Sequence, residues 1–294
     1  MSDTTTSLRR KISSASDLQT VVRTMKVISA SSIGQYENAV RSLNEYYRTV
    51  QLGLAACFQH NELSGFNIQT EHKKTGAIAA VVFGSDQGLV GQFNEVMTEF
   101  VVKTLDSLPG QKIVWAIGER IQTRLVDKKF TLGGSFILPN SIGAITPLVG
   151  QIITELEMRR EKGEITEVYL FYNRPESSSI YTSVSQRLLP LDDVWRAGLI
   201  AIPWPSGNLP EVMNDEIKTM LAFVNEYLFL SLFRACTESL ASESASRLAA
   251  MQRAEKNIDE LLEDMNRSFH RMRQSFIDEE LFDVISGFEA LTKI

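Results

Sequence analysis

The segment best placed to touch a phosphate is Gly84-Ser-Asp-Gln-Gly88-Leu-Val-Gly91, which follows an apolar run and precedes a helical pattern. Glycine-rich turns leading into a helix N-terminus bind anions at that position. The glycine spacing is not G-x-G-x-x-G, however, and no Gly-Lys-Ser/Thr follows, so the turn lacks both common phosphate signatures. It reads instead as a tight strand-to-helix turn in which Ser85 or Asp86 caps backbone donors. His60, His72 and His270 are scattered, and Cys57 and Cys236 have no metal-ligand spacing, so no metal is expected. Two distant cysteines are also too few for a disulfide framework, which fits a reducing compartment. Nothing marks a Ser, Cys or Lys nucleophile. The carboxylates of residues 255–264 and 278–283 recur at helical spacing and read as solvated faces. No catalytic residue and no cofactor are therefore expected.

Cations are the more suggestive group. Arg9, Arg10, Lys11, Arg23 and Lys26 cluster near the start of the chain, and Arg267, Arg271 and Arg273 near its end. Antiparallel pairing of the two segments would bring the clusters to a similar level, a positive collar facing acidic partner surfaces. Each exposed pair would contribute ~0 to 1 kcal/mol and be easily remade. The net charge of -6 over 294 residues argues against a nucleic-acid binder, and 44 % hydrophobic with 22 % charged residues is a globular composition.

The elements that must position these residues follow from the helix breakers. All eight prolines fall between Pro109 and Pro210, and after Gly207 the only glycine is Gly287. Interior proline costs a helix roughly 3 kcal/mol and glycine roughly 1 kcal/mol, so both chain ends are free to form long helices. From a possible N-cap at Ser7, Leu8, Ile12, Ala15, Leu18, Val22, Met25 and Ile28 follow helical spacing. After a polar patch at Ser29, Ser31 and Ser32 the series resumes as Ile33, Tyr36, Val40, Leu43, Tyr47, Val50 and Leu54. The spacing predicts a helix from Ser7 to about Gln59, ~80 Å long, with a heptad seam interrupted once. From Pro210 to about Gly287, Met251, Ala254, Ile258, Leu261, Met265, Phe269, Met272 and Phe276 predict a second and longer helix. Their spacing lies between a heptad and a straight-helix repeat, which predicts weak supercoiling and a protruding C-terminal end. At roughly 1.5 to 3 kcal/mol per buried side chain, such a seam holds an antiparallel coiled coil together.

Between the helices the pattern alternates. Strands are expected at 77–83, 113–117, 167–172 and 179–189, and helices at 90–108, 119–128 and 142–162. The fold class is therefore α/β: a Rossmann-like domain with a mostly parallel sheet, inserted between long N- and C-terminal helices. Residues 1–60 and 210–294 form the coiled-coil shaft, and 75–205 the α/β domain. Residues 1–7 carry no basic, apolar or Arg-rich targeting pattern, and the apolar stretch 221–233 is too short to span a bilayer. Any membrane association is expected to come through a partner.

Several of these stretches resemble the γ-subunit family of F-type ATP synthases. They are Leu8-Arg-Arg-Lys-Ile12, residues 25–31, residues 266–277, Glu280-Leu281, Ile285-Ser-Gly287, and the turn 85–91, similar to the family's Ser-Asp-Arg-Gly-Leu-Cys-Gly. The resemblance covers nearly the whole chain, and its C-terminal part is the most specific. It implies a central rotor shaft inside a hexamer of alternating α and β subunits, with the α/β domain as a foot on a membrane c-ring and an ε-type subunit nearby. Such a subunit is non-catalytic and mechanically couples ion flow to ATP synthesis or hydrolysis. It would sit peripherally at the cytoplasmic face of a bacterial inner membrane. The alternatives are a nucleotide-binding module at the glycine turn, or a coiled-coil scaffold of other partners.

Residue by residue, Met25 and Lys26 match the family's Met-Lys pair facing an acidic helix-turn-helix of β, and Arg273 and Gln274 match its Arg-Gln pair at a β catch loop. Arg267 and Arg271 join them as cations facing β. Asp278 stands where Thr is usual, His270 where Asn is, Ser32 where Lys is, and Phe288 follows Gly287 in place of a small residue. These departures imply a divergent, alternate-type branch. No chloroplast-type dithiol insert is present. Leu281, Phe282, Ile285 and Phe288 form an apolar tip, read either as buried on the N-terminal helix or as a bearing in an apolar sleeve.

Overall fold

The computed structural model describes residues 4–60, 76–176, 180–208 and 215–292, with side chains through Phe288 apart from that of His60. The boundaries expected at 75 and 210, and His72, lie outside these residues. By its internal contacts the chain groups into two compact units, Ala30–Arg247 and the paired segments Met1–Ser29 and Leu248–Ile294.

The larger unit is built on five strands: β1 (Ala77–Phe83), β2 (Lys112–Ile117), β3 (Thr131–Phe136), β4 (Ile165–Arg174) and β5 (Thr182–Leu189), in the order β3-β2-β1-β4-β5. The first four in that order run parallel, and β5 is antiparallel to β4. The parallel connections carry α2 (Phe93–Asp106), α3 (Glu119–Asp127) and α4 (Ile145–Glu161), the last entered through a 3-10 turn at Ile142–Ala144. Every residue of β1 is buried because both faces of the sheet are covered. The pleat sends Ile78, Ala80 and Val82 to α2 and α3, where Met97, Val101, Ile121 and Leu125 meet them. Ala79, Val81 and Phe83 face the other way, into a core shared with Val149 and Ile152 of α4 and with the long terminal helices. Those helices are α1 (Thr5–His60) and α6 (Glu216–Thr292), which contribute Leu54, Val224, Leu228 and Leu232 to that core.

Two elements differ from the sequence expectation. β3 was hidden by Gly133 and Gly134, which have poor strand propensity. Here they are required, because a Cβ on Gly133 would come within 2.4 Å of the Trp115 ring lying across the strand. The short helix α5 (Asp193–Ile200) is capped by Asp192, whose carboxylate accepts from Trp195 N at 3.0 Å.

In the smaller unit the two segments run antiparallel. Arg9 lies over the Phe269 ring, Gln19 bonds to Asp259, and Lys26 pairs with Glu255. Thr4, not Ser7, caps α1: its hydroxyl accepts from Ser7 N at 3.3 Å. Burial along α1 recurs every seven residues at Leu8, Ala15, Val22, Ser29 and Tyr36, then at half-buried Leu43 and buried Val50. The heptad is thus not interrupted at the polar patch: Ser29 occupies the seam, while Leu18 and Ile28, expected there, are exposed. On α6 from Met251 on, the buried or half-buried positions are Met251, Ala254, Glu255, Ile258, Leu262, Met265, Phe269 and Met272. From Glu255 on they alternate steps of three and four, a heptad. Leu261 and Phe276, expected inside, are exposed.

Candidate functional site

The glycine turn is occupied by the protein's own groups. Ser85 N donates to Asn94 Oδ1 at 3.0 Å, and Asn94 Nδ2 returns a bond to Ser85 Oγ at 2.7 Å. Asp86 accepts Glu119 N at 2.9 Å and Leu138 N at 3.0 Å, so it caps α3 and ties down the loop after β3. Asp86 therefore does cap backbone donors, although not those of the helix that follows it in sequence. Gly118, at φ +112°, lets this contact close, since a Cβ there would lie 2.8 Å from the Ser85 backbone. An anionic ligand at this turn would have to displace Asp86.

Directly beyond the turn, α6 presents a stripe the sequence reading missed. Ser231, Thr237, Glu238, Ser239, Ser242, Glu243, Ser244 and Ser246 are all buried. Ser242 Oγ donates to Asn173 O at 3.0 Å, and Ser246 Oγ to Val90 O at 2.6 Å, so hydroxyls of α6 satisfy carbonyls at the end of β4 and in the glycine turn. Glu238 pairs with Arg234 at 2.7 Å and Glu243 with Arg247 at 2.5 Å. Burial pushes the Glu243 carboxyl above its ordinary range, Arg247 partly opposing it and Asp86 adding to it. Burial likewise raises the Tyr172 phenol, to about 12, and the Cys236 thiol. The run of serines and alanines at 235–246 was the available signal, because small side chains admit close backbone approach.

Of the residues expected to meet partners, Met25 and Lys26 are half-buried. Lys26 Nζ lies 2.5 Å from Glu255 Oε2, and Arg23 Nε lies 2.9 Å from Glu255 Oε1. One carboxylate thus bridges two cations across the helix pair, and the bonds from Lys26 and then Arg23 hold its pKa below the ordinary carboxylate value. The collar is locally neutralised at this level. Arg267 is exposed and pairs with Glu263 at 3.1 Å and Asp264 at 3.5 Å on its own helix. Arg271, Arg273, Gln274 and Asp278 are exposed. Arg273 shares a cleft of about 400 Å³ with Thr5, Thr6, Arg9, Phe269 and Phe276, so it is brought beside the start of α1.

From Arg273 to Phe288 every described side chain is exposed, because α1 begins at Thr5 and supplies no further seam. Leu281 is 56 %, Phe282 69 %, Ile285 45 % and Phe288 68 % exposed, which removes the reading in which this tip is buried against the N-terminal helix. Among the described residues no group of His, Cys, Asp and Glu is arranged to hold a metal ion, and no helix is long and apolar enough to cross a membrane.

The larger unit is a mostly parallel sheet inserted in the sequence between two long terminal helices, with its glycine turn self-occupied. The model of the ATP synthase family matches residues 4–291, and this chain belongs to that family. It is 25 % identical over 293 residues to the ATP synthase gamma chain of Polynucleobacter asymbioticus, covering 98 % of this chain and 99 % of that one. It is 24 % identical to the gamma chain of Fusobacterium nucleatum, covering 97 % and 98 %. Its fold is similar to a chain of the Euglena gracilis mitochondrial ATP synthase rotor, with TM-score 0.65, 15 % identity and 92 % and 97 % coverage. It is also similar to one in the central stalk and c-ring of the Tetrahymena thermophila enzyme, with TM-score 0.56, 20 % identity and 80 % and 99 % coverage.

Proposed function

We propose that this chain is the central rotor stalk, or γ, subunit of an F-type ATP synthase, coupling ion-driven rotation of a membrane c-ring to the conformational cycle of catalytic β subunits. Its partners are the α and β subunits of the hexamer, an ε-type subunit and the c-ring. The observation that carries this reading is the helix pair whose longer member continues with every side chain from Arg273 to Phe288 exposed, ending in an apolar tip. Apolar contact is non-directional, so a tip turning in an apolar sleeve meets shallower energy traps than one held by fixed hydrogen bonds. Leu281, Phe282, Ile285 and Phe288 form that bearing. Residues 1–60 and 210–294 act as shaft, and 75–205 as foot.

The chain performs no chemistry itself. Rotation must change the relative energies of β states with different nucleotide affinity, or it shifts no equilibrium. Met25, Lys26, Arg267, Arg271, Arg273, Gln274 and Asp278 are the surfaces through which it does so. The Lys26–Glu255 bond adds a condition: an acidic β segment must share or displace Glu255 to reach Lys26. The complex is membrane-associated with this part peripheral, at the cytoplasmic face of a bacterial inner membrane.

Reconstitution with α and β subunits tests the reading. A single copy of this chain per hexamer is expected, with ATP hydrolysis reduced several-fold when Arg273 and Gln274 are both replaced by Ala. Failure to assemble would overturn the function, whereas assembly with unchanged activity and torque would remove only the two contacts.

A further inference from the structure

The cations of the helix pair are not equally available to a partner. Arg23 and Lys26 share Glu255, at 2.9 and 2.5 Å, and Arg267 is held by Glu263 at 3.1 Å and Asp264 at 3.5 Å. Arg9 and Arg273, one on each helix, have no carboxylate partner among the described residues. Both line the cleft of about 400 Å³ whose other walls are Thr5, Thr6, Phe269 and Phe276, and no carboxylate lines it. Two positive charges thus face one open space with nothing of opposite sign beside them, which favours an anionic occupant.

The cleft is also partly organised in advance. The Arg9 guanidinium lies 6.0 Å from the centroid of the Phe269 ring, and Phe269 is itself half-buried on the seam. A guanidinium over an aromatic face keeps its charge and its donors while losing side-chain freedom before a ligand arrives. Phe276, 56 % exposed, leaves a second ring uncovered at the same cleft. A free phosphate would meet the arginines and leave the rings in water. An acidic peptide segment meets both: each guanidinium presents a fork that fits one carboxylate, and an apolar side chain between two carboxylates covers the rings. We infer that Arg9 and Arg273 are the two arms of one docking site for a two-carboxylate segment of a β subunit, a push on which is delivered to both helices at once. This rests on the reading of the chain as a γ subunit, and it adds Arg9, from the N-terminal helix, to the surfaces named above.

The test uses the chain assembled with α and β subunits and carrying Arg9→Lys or Arg273→Lys. A carbodiimide joins a lysine amine to a carboxylate in direct contact, as an amide, and peptide mass spectrometry identifies the carboxylate. Both variants are expected to cross-link to the same β segment, at carboxylates a few residues apart. Arg9→Gln and Arg273→Gln are each expected to lower ATP turnover about two- to fivefold, the range one exposed ion pair supplies. The double variant should lower it by less than the product of the two, because both arms hold one segment. A cross-link in Arg273→Lys without one in Arg9→Lys, cross-links to different segments or to α, or unchanged turnover in Arg9→Gln overturns the two-arm site and leaves the γ reading standing. Failure of the parent chain to assemble overturns the γ reading itself.

Discussion

Two stretches of the same helix invert the usual relation between hydropathy and burial. Between Thr237 and Ser246, α6 buries serines, a threonine and two glutamates; from Phe276 to Phe288 it exposes three phenylalanines and several aliphatics. The first stretch has the end of a sheet against it, which supplies carbonyls at Asn173 and Val90 for its hydroxyls. The second is exposed to solvent along its whole length. Burial here is decided by what lies opposite: short hydroxyl side chains admit the close approach of the sheet end, while the apolar side chains of the other stretch stay exposed.

The contrast is most sharply broken at Ser242. Ser242→Leu removes the bond to Asn173 O and overpacks a 0 % exposed site. A loss of about 3 kcal/mol or more is expected in urea unfolding of the chain, with the native sheet contacts disturbed first. A loss below about 1 kcal/mol would mean that the stripe tolerates bulk and is not closely packed.

Glu243 sharpens the comparison through pH. Its carboxyl is raised in the folded state, so its favourable contribution is fully present below the ordinary value of 4.5 and is lost as pH rises through the folded pKa. Glu243→Gln is expected to flatten the fall in stability above that pH, read as the unfolding midpoint between pH 4 and 8. An unchanged profile would assign the pH dependence to other groups.

Glu255 has the opposite sign. Its pKa is depressed by Lys26 and Arg23, so its contribution is present above 4.5 and disappears as pH falls through the lowered folded value. Glu255→Gln should therefore be less stable than the parent at neutral pH and indistinguishable from it in strong acid. The difference is expected to be smaller than for Glu243→Gln because the bridge is solvent-screened. A variant equally stable at all pH values would mean that the bridge contributes nothing to the helix pair.

The smallest effect belongs to the exposed tip. Phe282→Ser with Ile285→Ser should leave thermal unfolding of the isolated chain within about 0.5 kcal/mol of the parent while lowering its self-association. A clear destabilisation would show that the tip is packed in the free chain.

Much of this architecture was readable beforehand. The breaker-free ends give α1 and α6, and the apolar runs at 77–83 and 113–117 give the two central strands. β3 escaped because Gly133 and Gly134 look like a loop until Trp115 is laid across them. The Ser242 and Ser246 contacts escaped because a serine's preference carries no trace of the carbonyl it will meet 69 or 156 residues away. Met25, Lys26, Arg273 and Gln274 were singled out through resemblance, which gave no sign of the Lys26–Glu255 pair.

By itself the sequence determined element type and length, since proline and glycine placement and residue periodicity act within a few turns of backbone. It also offered no ligand or nucleophile pattern from which to expect catalysis by this chain. Only the tertiary structure decided which residues of each helix face inward. Gln19, Lys26 and Ser29 took seam positions in place of Leu18 and Ile28, and Leu262 in place of Leu261. Hydropathy alone cannot rank positions one residue apart, because a rotation of about 100° about the helix axis separates them and only the facing helix fixes that angle.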